Sequence, residues 1–358
     1  MAATITETVN DITDPVNVIL QADFLERARQ VAIYTQGTKP GRQPLHAGSN
    51  TAKWRRYNNI SPSTTALSEQ TTVISFTARD SVVPTITDVT ATVARYGQHF
   101  LVNEEVDLVN PTSQEAELLD IMAIAAGRSI NRLVRDEMED NSTQIRAGGA
   151  GSDGAIVSKF TRDSARHVQK VLQQQSAMRF FPMTMGSQNY ATSPTRAAFI
   201  GFCSVDVEPD VRDHAGFLDV EKYAGQISTY MNEIGSSQGI RFLSTEEASS
   251  TANGGGSVGE TDLISTGGTL IDLYDTIIMG MNAVGTLSWD MPAHPEMVYR
   301  AGDQIPSVQI INKPRGTSGI ADPYNEIGVL GYKFWEVEKI LNANWIRRVT
   351  SGASNLNN

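Results

Sequence analysis

Cysteine is almost absent from this 358-residue chain: Cys203 stands alone, which excludes an intrachain disulfide and any cysteine-based zinc cluster. Such usage fits folding in a reducing cytoplasm and disfavours secretion. Charge is sparse too, at 19% of residues against roughly 25% in an average globular domain. The basic share is the smaller one, Lys plus Arg 29 against Asp plus Glu 40, for a net charge of −11. That balance argues against a protein whose affinity comes from neutralising phosphates. No basic residue precedes Arg27, so the positive start of a signal peptide is missing, and no apolar run is long enough to span a bilayer. A soluble protein without a membrane partner is expected.

Catalytic signatures are missing as well. The histidines His46, His99, His167, His214 and His294 include no i, i+4 pair for a helical zinc site, and no G-x-S-x-G elbow occurs. Two stretches match G-x-G-x-x-G formally, at 149–154 and 254–259, but neither lies between a strand and a helix, where a pyrophosphate would meet a helix N-terminus. Both read as loops. Cys203 sits in an apolar strand without a neighbouring base and reads as a buried, inert thiol. Asp206, Glu208, Asp210 and Asp213 lack calcium-loop spacing and read as caps and solvated charge. No enzyme activity, cofactor or structural metal is expected.

What is present is a particular order of elements. Residues 1–50 carry short apolar pieces, Val16 to Leu20 and Val31 to Tyr34, among turn formers, and read as an arm that can bury little by itself. Residues 54–102 read as two extended arms around a Thr/Ser-rich middle. Val89, Ala91 and Val93 alternate with Thr90, Thr92 and Ala94 at the period of a strand with one buried face. Pro111, Thr112 and Glu115 then form a capping-box signal, and Leu118, Met122, Ala125, Ala126, Ile130, Leu133, Val134 and Met138 recur at helical spacing. The pattern predicts one long helix over 112–141, about 42 Å at 1.5 Å per residue.

Beyond a glycine break at 148–154 the signals mix. Ile156 and Val157 read as a strand, Thr161 as the cap of a helix carrying Ala165, Val168, Val171 and Leu172, and 197–205 as a buried strand. A Gly/Ser-rich loop over 249–257 is followed by an apolar strand over 274–284 and by two more over 328–337 and 345–349. Trp54-Arg55-Arg56-Tyr57 interleaves aromatics with arginines at the root of the long excursion. That composition suits an interface between subunits, and equally a strand with its aromatic face packed inward.

In this order the chain resembles the major capsid proteins of tailed bacteriophages, of the Hong Kong 97 (HK97) type. The resemblance is carried by Lys53-Trp54-Arg55-Arg56-Tyr57-Asn58-Asn59, by Thr87-Asp88-Val89-Thr90-Ala91-Thr92-Val93 with Tyr96-Gly97, and by Ile130-Asn131-Arg132-Leu133-Val134-Arg135-Asp136. Asn232-Glu233-Ile234-Gly235, Gly239-Ile240-Arg241-Phe242, Gly319-Ile320-Ala321-Asp322-Pro323 and Lys339-Ile340-Leu341-Asn342 with Trp345 continue it. It implies an α+β, HK97-like fold. The parts are an N-terminal arm (1–50), an extended loop (51–97) lying across a neighbouring subunit, a peripheral domain (98–154 and 324–358) with the spine helix, and an axial domain (155–323). It also implies pentamers and hexamers closing into an icosahedral shell around double-stranded DNA, within a virion assembled in the host cytoplasm. Scaffold, portal and decoration proteins are the implied further partners. The start at Met1 without a long helical pre-domain makes a separate scaffold the expectation. An encapsulin-like compartment and a soluble β-rich hydrolase are the alternative readings.

Overall fold

The computed structural model describes residues 32–41, 50–58, 60–62, 84–105, 114–180, 197–223, 230–259, 262–287, 290–291, 305–306, 308–313, 323–324 and 326–356, with single residues 64 and 315. The Pro111 and Thr112 of the capping signal lie outside them.

The chain opens with β1 (Lys39–Gly41), β2 (Thr51–Tyr57), β3 (Ile86–Thr92) and β4 (Ala94–Asn103), then α1 (Gln114–Asp140) and β5 (Thr143–Arg146). Next come α2 (Arg162–Gln174), β6 (Phe199–Ser204), α3 (Glu208–Arg212), β7 (Leu218–Asp219), β8 (Glu233–Ser237) and β9 (Ile240–Thr245). The remainder is strand: β10 (Ser250–Thr251), β11 (Leu273–Met279), β12 (Val284–Leu287), β13 (Asp290–Met291), β14 (Ile305–Pro306), β15 (Val308–Lys313), β16 (Ile327–Glu336), β17 (Lys339–Ile340) and β18 (Ile346–Ser351).

Four layers follow from which faces these elements bury. An eight-stranded sheet runs β5-β18-β11-β6-β9-β8-β7, with β10 beside β11. Its central strands alternate between two cores. Ile200, Phe202, Ile277, Met279 and Ile346 meet α1, while Phe199, Cys203, Ile278 and Val349 meet Ala165, Val168 and Leu172 of α2. Burial on both sides explains why β6 reads as an unbroken apolar run. On its other side α1 meets Leu330, Tyr332 and Phe334 of β16, the middle strand of the sheet β15-β16-β4. The spine helix is therefore sandwiched between two sheets. It runs unbroken through Gly127, with Met122, Ala126, Ile130, Val134 and Met138 all inside.

Several expectations need correction. Residues 32–41 do not form a loose arm. Tyr34 is fully buried, stacks on Phe202 at 4.8 Å between ring centroids, and donates its backbone N–H to Asn131 Oδ1 at 2.8 Å. β1 then pairs with β12 in parallel. Ile156 and Val157 form no strand, because Ile156 is held by the glycine loop at 254–256, where Gly256 donates to its carbonyl at 2.8 Å. Gly255 is needed there: a Cβ would sit 3.0–3.1 Å from Leu273 and from two backbone carbonyls. Asp210 is buried and not solvated; it accepts from Ser354 N and Oγ at 2.9 and 2.6 Å and pairs with Lys159 at 3.0 Å, tying down the chain after β18. Finally, β5 and β18 belong to the large sheet, so the expected boundary between 98–154 plus 324–358 and 155–323 is crossed by continuous strand pairing.

Candidate assembly surface

The hairpin β2-β3 is the root from which residues 59–83 depart. Its register sets Trp54 opposite Val89 and Tyr57 opposite Ile86. Alternation then sends Ala52 and Trp54 inward and Lys53, Arg55 and Tyr57 outward.

Trp54 is 7% exposed and packs against Leu287, Val337 and Leu341 of its own chain. Its indole lies against Gly41 of β1 and Gly285 of β12, where an added Cβ would come within 2.6 and 2.9 Å of Nε1. As a subunit-bridging anchor, Trp54 is thus replaced by an intrachain one, whose ring holds the loop root to the strap formed by β1 and β12. Arg56 reinforces this attachment, donating from Nη1 to Leu341 O at 3.2 Å. Arg55 grips Asp88 through two bonds of 2.9 and 3.3 Å, and Lys53 reaches the same carboxylate at 2.6 Å. Those hydrogen bonds pull the Asp88 carboxyl down to about 2. Tyr57 alone of the four is open to solvent, 63% exposed, with Ile86 and Ile60 exposed beside it in register or sequence. Ile60 and Ile86 were not singled out from the sequence. The signal that could have found them is their place as apolar residues at the two ends of a polar excursion.

A second feature joins the spine helix to the large sheet. Glu247, just after β9 and mostly buried, receives Arg128 Nε at 3.2 Å and Arg132 Nε, while Arg135 Nη1 donates to its carbonyl oxygen at 2.6 Å. The i, i+4, i+7 spacing of these arginines lets one helix face hold one turn.

Acidic groups crowd the C-terminal end of that helix and the end of β16. Burial pushes Glu139 up to about 7, with Asp275 adding to the shift and Arg135, 3.9 Å away, opposing it. Burial likewise raises Glu338 to about 7, and Glu336, whose Oε1 accepts from Leu287 N at 3.0 Å, well above the carboxylate range. A carboxyl with a higher pKa folded than unfolded binds protons in the folded state between the two values. Its ionisation therefore lowers stability as pH rises through roughly 4.5 to 7. The chain is expected to resist urea better at pH 5 than at pH 8. Glu139→Gln should shrink that difference by about 2–3 kcal/mol, the equivalent of a pKa gap of about two units. Equal slopes for the two proteins would contradict the assignment.

Cys203 is buried and its thiol is raised by burial, in keeping with an inert side chain. His214 is buried, stacked on Phe160 at 5.5 Å, and burial lowers its pKa. Among the described residues no group of three or more His, Cys, Asp or Glu is placed to hold a metal, and no helix is long and apolar enough to cross a membrane.

No protein-family model and no curated protein matches the sequence. Solved structures do match its shape. The capsid of Ralstonia phage GP4 superposes with a TM-score of 0.60 at 8% identity, over 90% of this chain and 86% of that one. The head structure of Helicobacter pylori bacteriophage KHP40 gives 0.54 at 8% identity, over 89% and 87%. The acid-stable capsid of Helicobacter pylori bacteriophage KHP30 gives 0.52 at 8%, over 90% of both chains. The chain has the HK97-like capsid fold. Within that fold, α1 is the spine helix and β2-β3 is the root of the extended loop.

Proposed function

We propose that this chain is a major capsid protein of a tailed bacteriophage. It assembles into pentamers and hexamers that close into an icosahedral shell around double-stranded DNA, in a virion built in the host cytoplasm. The observation that carries the reading is shape similarity over nine-tenths of the chain to the GP4 capsid. It is joined by a loop root that is braced from within by Trp54 and Arg56 and presents Tyr57, Ile60 and Ile86 outward. Arg55 and Tyr57 are then the members of the Trp54–Tyr57 group available to a neighbour. The peripheral part comprises α1 with β15-β16-β4, and the axial part comprises the large sheet with α2, β5 and β18 included. Scaffold, portal and decoration proteins would be separate chains, and the acidic inner wall would repel the enclosed genome more than bind it. The role is structural and non-enzymatic.

Size-exclusion chromatography of the full-length protein, followed by the variant Tyr57→Asp, tests this. The wild type is expected in particles or capsomers far larger than a monomer, and the variant in smaller species with an unchanged far-UV spectrum. A wild type eluting only as a monomer or dimer would overturn the reading.

A further inference from the structure

The sheet β15-β16-β4 buries one face on α1. Its other face carries a charge pattern opposite to that of the chain as a whole. Register places Arg95, His99 and Leu101 of β4 beside Trp335, Gly331 and Val329 of β16, with Ile311 and Lys313 of β15 on the far side and Lys333 next to Trp335. Leu101 is 64% exposed, and Arg95, His99 and Lys313 are exposed with it, while Lys333 lies over the Trp335 ring at 5.4 Å. The outward positions of these strands hold three cations and no carboxylate, in a chain of net charge −11. An apolar strip of Ile311, Val329 and Leu101 with lysine and arginine at its margins has the composition of a docking surface for something acidic and apolar. β4 also ends the sheet: its ten residues have no strand on their outer edge among the described residues. A long free edge of this kind accepts a further extended segment.

The sequence contains a segment with the complementary pattern. Residues 1–26 hold five carboxylates, Glu7, Asp11, Asp14, Asp23 and Glu26, and no lysine or arginine. Between them lie Ile5, Val9, Ile12, Val16 and Val18, in a stretch whose many Thr, Val and Ile residues favour extended backbone. The segment is tethered at Tyr34, whose ring is locked in the core. From there 31 residues can span on the order of 100 Å when extended, more than the width of one subunit of this size.

We propose that residues 1–26 of one copy dock on this face of a neighbouring copy, running along β4 with their carboxylates against Arg95 and Lys333 and their apolar residues over Leu101 and Val329. The proposal rests on the capsid reading above, and it names the surface that receives the arm.

Because Cys203 is buried, engineered cysteines can be crosslinked without background. Full-length Val9→Cys and Leu101→Cys proteins are mixed, co-assembled and oxidised, then run on a non-reducing gel. The expected result is a species of twice the chain mass in the mixture, absent from either protein alone, and lost when Arg95→Glu and Lys333→Glu are added to the Leu101→Cys chain. No crosslinked species overturns the docking. So does a species formed by Leu101→Cys alone, which would make the face a contact between two like sheets. A chain carrying both cysteines that closes only on itself also overturns it. The gel is read on whatever oligomer forms. Intact shells without the crosslink therefore contradict the docking alone, and small oligomers with the crosslink contradict the shell reading alone.

Discussion

Deleting residues 1–41 is expected to leave a chain that cannot reach its native state, while deleting residues 1–31 leaves the fold intact. The difference lies in the ten residues from Ala32 to Gly41. Tyr34 fills space between Phe202 and the spine helix, and Ile33 joins the same core. Removing a large buried aromatic costs about 3–5 kcal/mol through lost transfer energy and the cavity left behind. Asn131, fully buried, would also lose the N–H that its Oδ1 accepts, and an unsatisfied buried amide costs about a further 1–3 kcal/mol. With β1 gone, Trp54 loses the backbone of Gly41 on one face of its ring. The sum approaches the whole stability of a typical domain, about 5–15 kcal/mol. Tyr34→Ala isolates the first contribution and should lower the urea unfolding free energy by about 3–5 kcal/mol. A shift below about 1 kcal/mol would mean that Tyr34 is not the anchor.

Ile130→Asp should be more damaging than any other single substitution in the spine helix. Ile130 is 1% exposed at the middle of α1, in the core that joins β6, β11 and β16. Its replacement removes a branched apolar side chain and places a carboxylate where the surrounding side chains are Leu, Ile, Phe and Met. An unpaired buried charge costs several kcal/mol even after its pKa shifts to neutralise it. The loss is felt by both sheets at once, so no part of the molecule keeps a core of its own. The expected outcome is insoluble protein. Ile130→Val, which keeps the shape and loses one methylene, should cost only about 0.5–1.5 kcal/mol and leave assembly unchanged. A soluble, assembling Ile130→Asp protein would contradict the sandwiched placement of α1.

The parts of this fold that were legible in the sequence are those whose burial is periodic along one element. The stripe from Met122 to Met138 marks a helix because only one period fits it, and the Phe199–Ser204 run marks a strand because both its faces are covered. Thr161 was legible as a cap, and its Oγ1 does accept from Ser164 N at 3.3 Å. Tyr34 was not, since a short apolar piece among turn formers has no period, and its burial depends on Asn131, 97 positions away. Trp54 was half legible. Alternation shows that one face of β2 is covered, but whether by its own chain or by a neighbour depends on Gly41 and Gly285, which lie on other strands. Asp210 looked solvated because its partners Ser354 and Lys159 come from distant segments.

Electron microscopy of the purified full-length protein is the most direct test of the central claim. Closed icosahedral shells, or rings with five- and six-fold symmetry, are the expected images, with subunits that accept the sheet–helix–sheet–helix layering found here. A homogeneous population of monomers or small oligomers, in which the Tyr57 and Leu101 surfaces stay open to solvent, would contradict it.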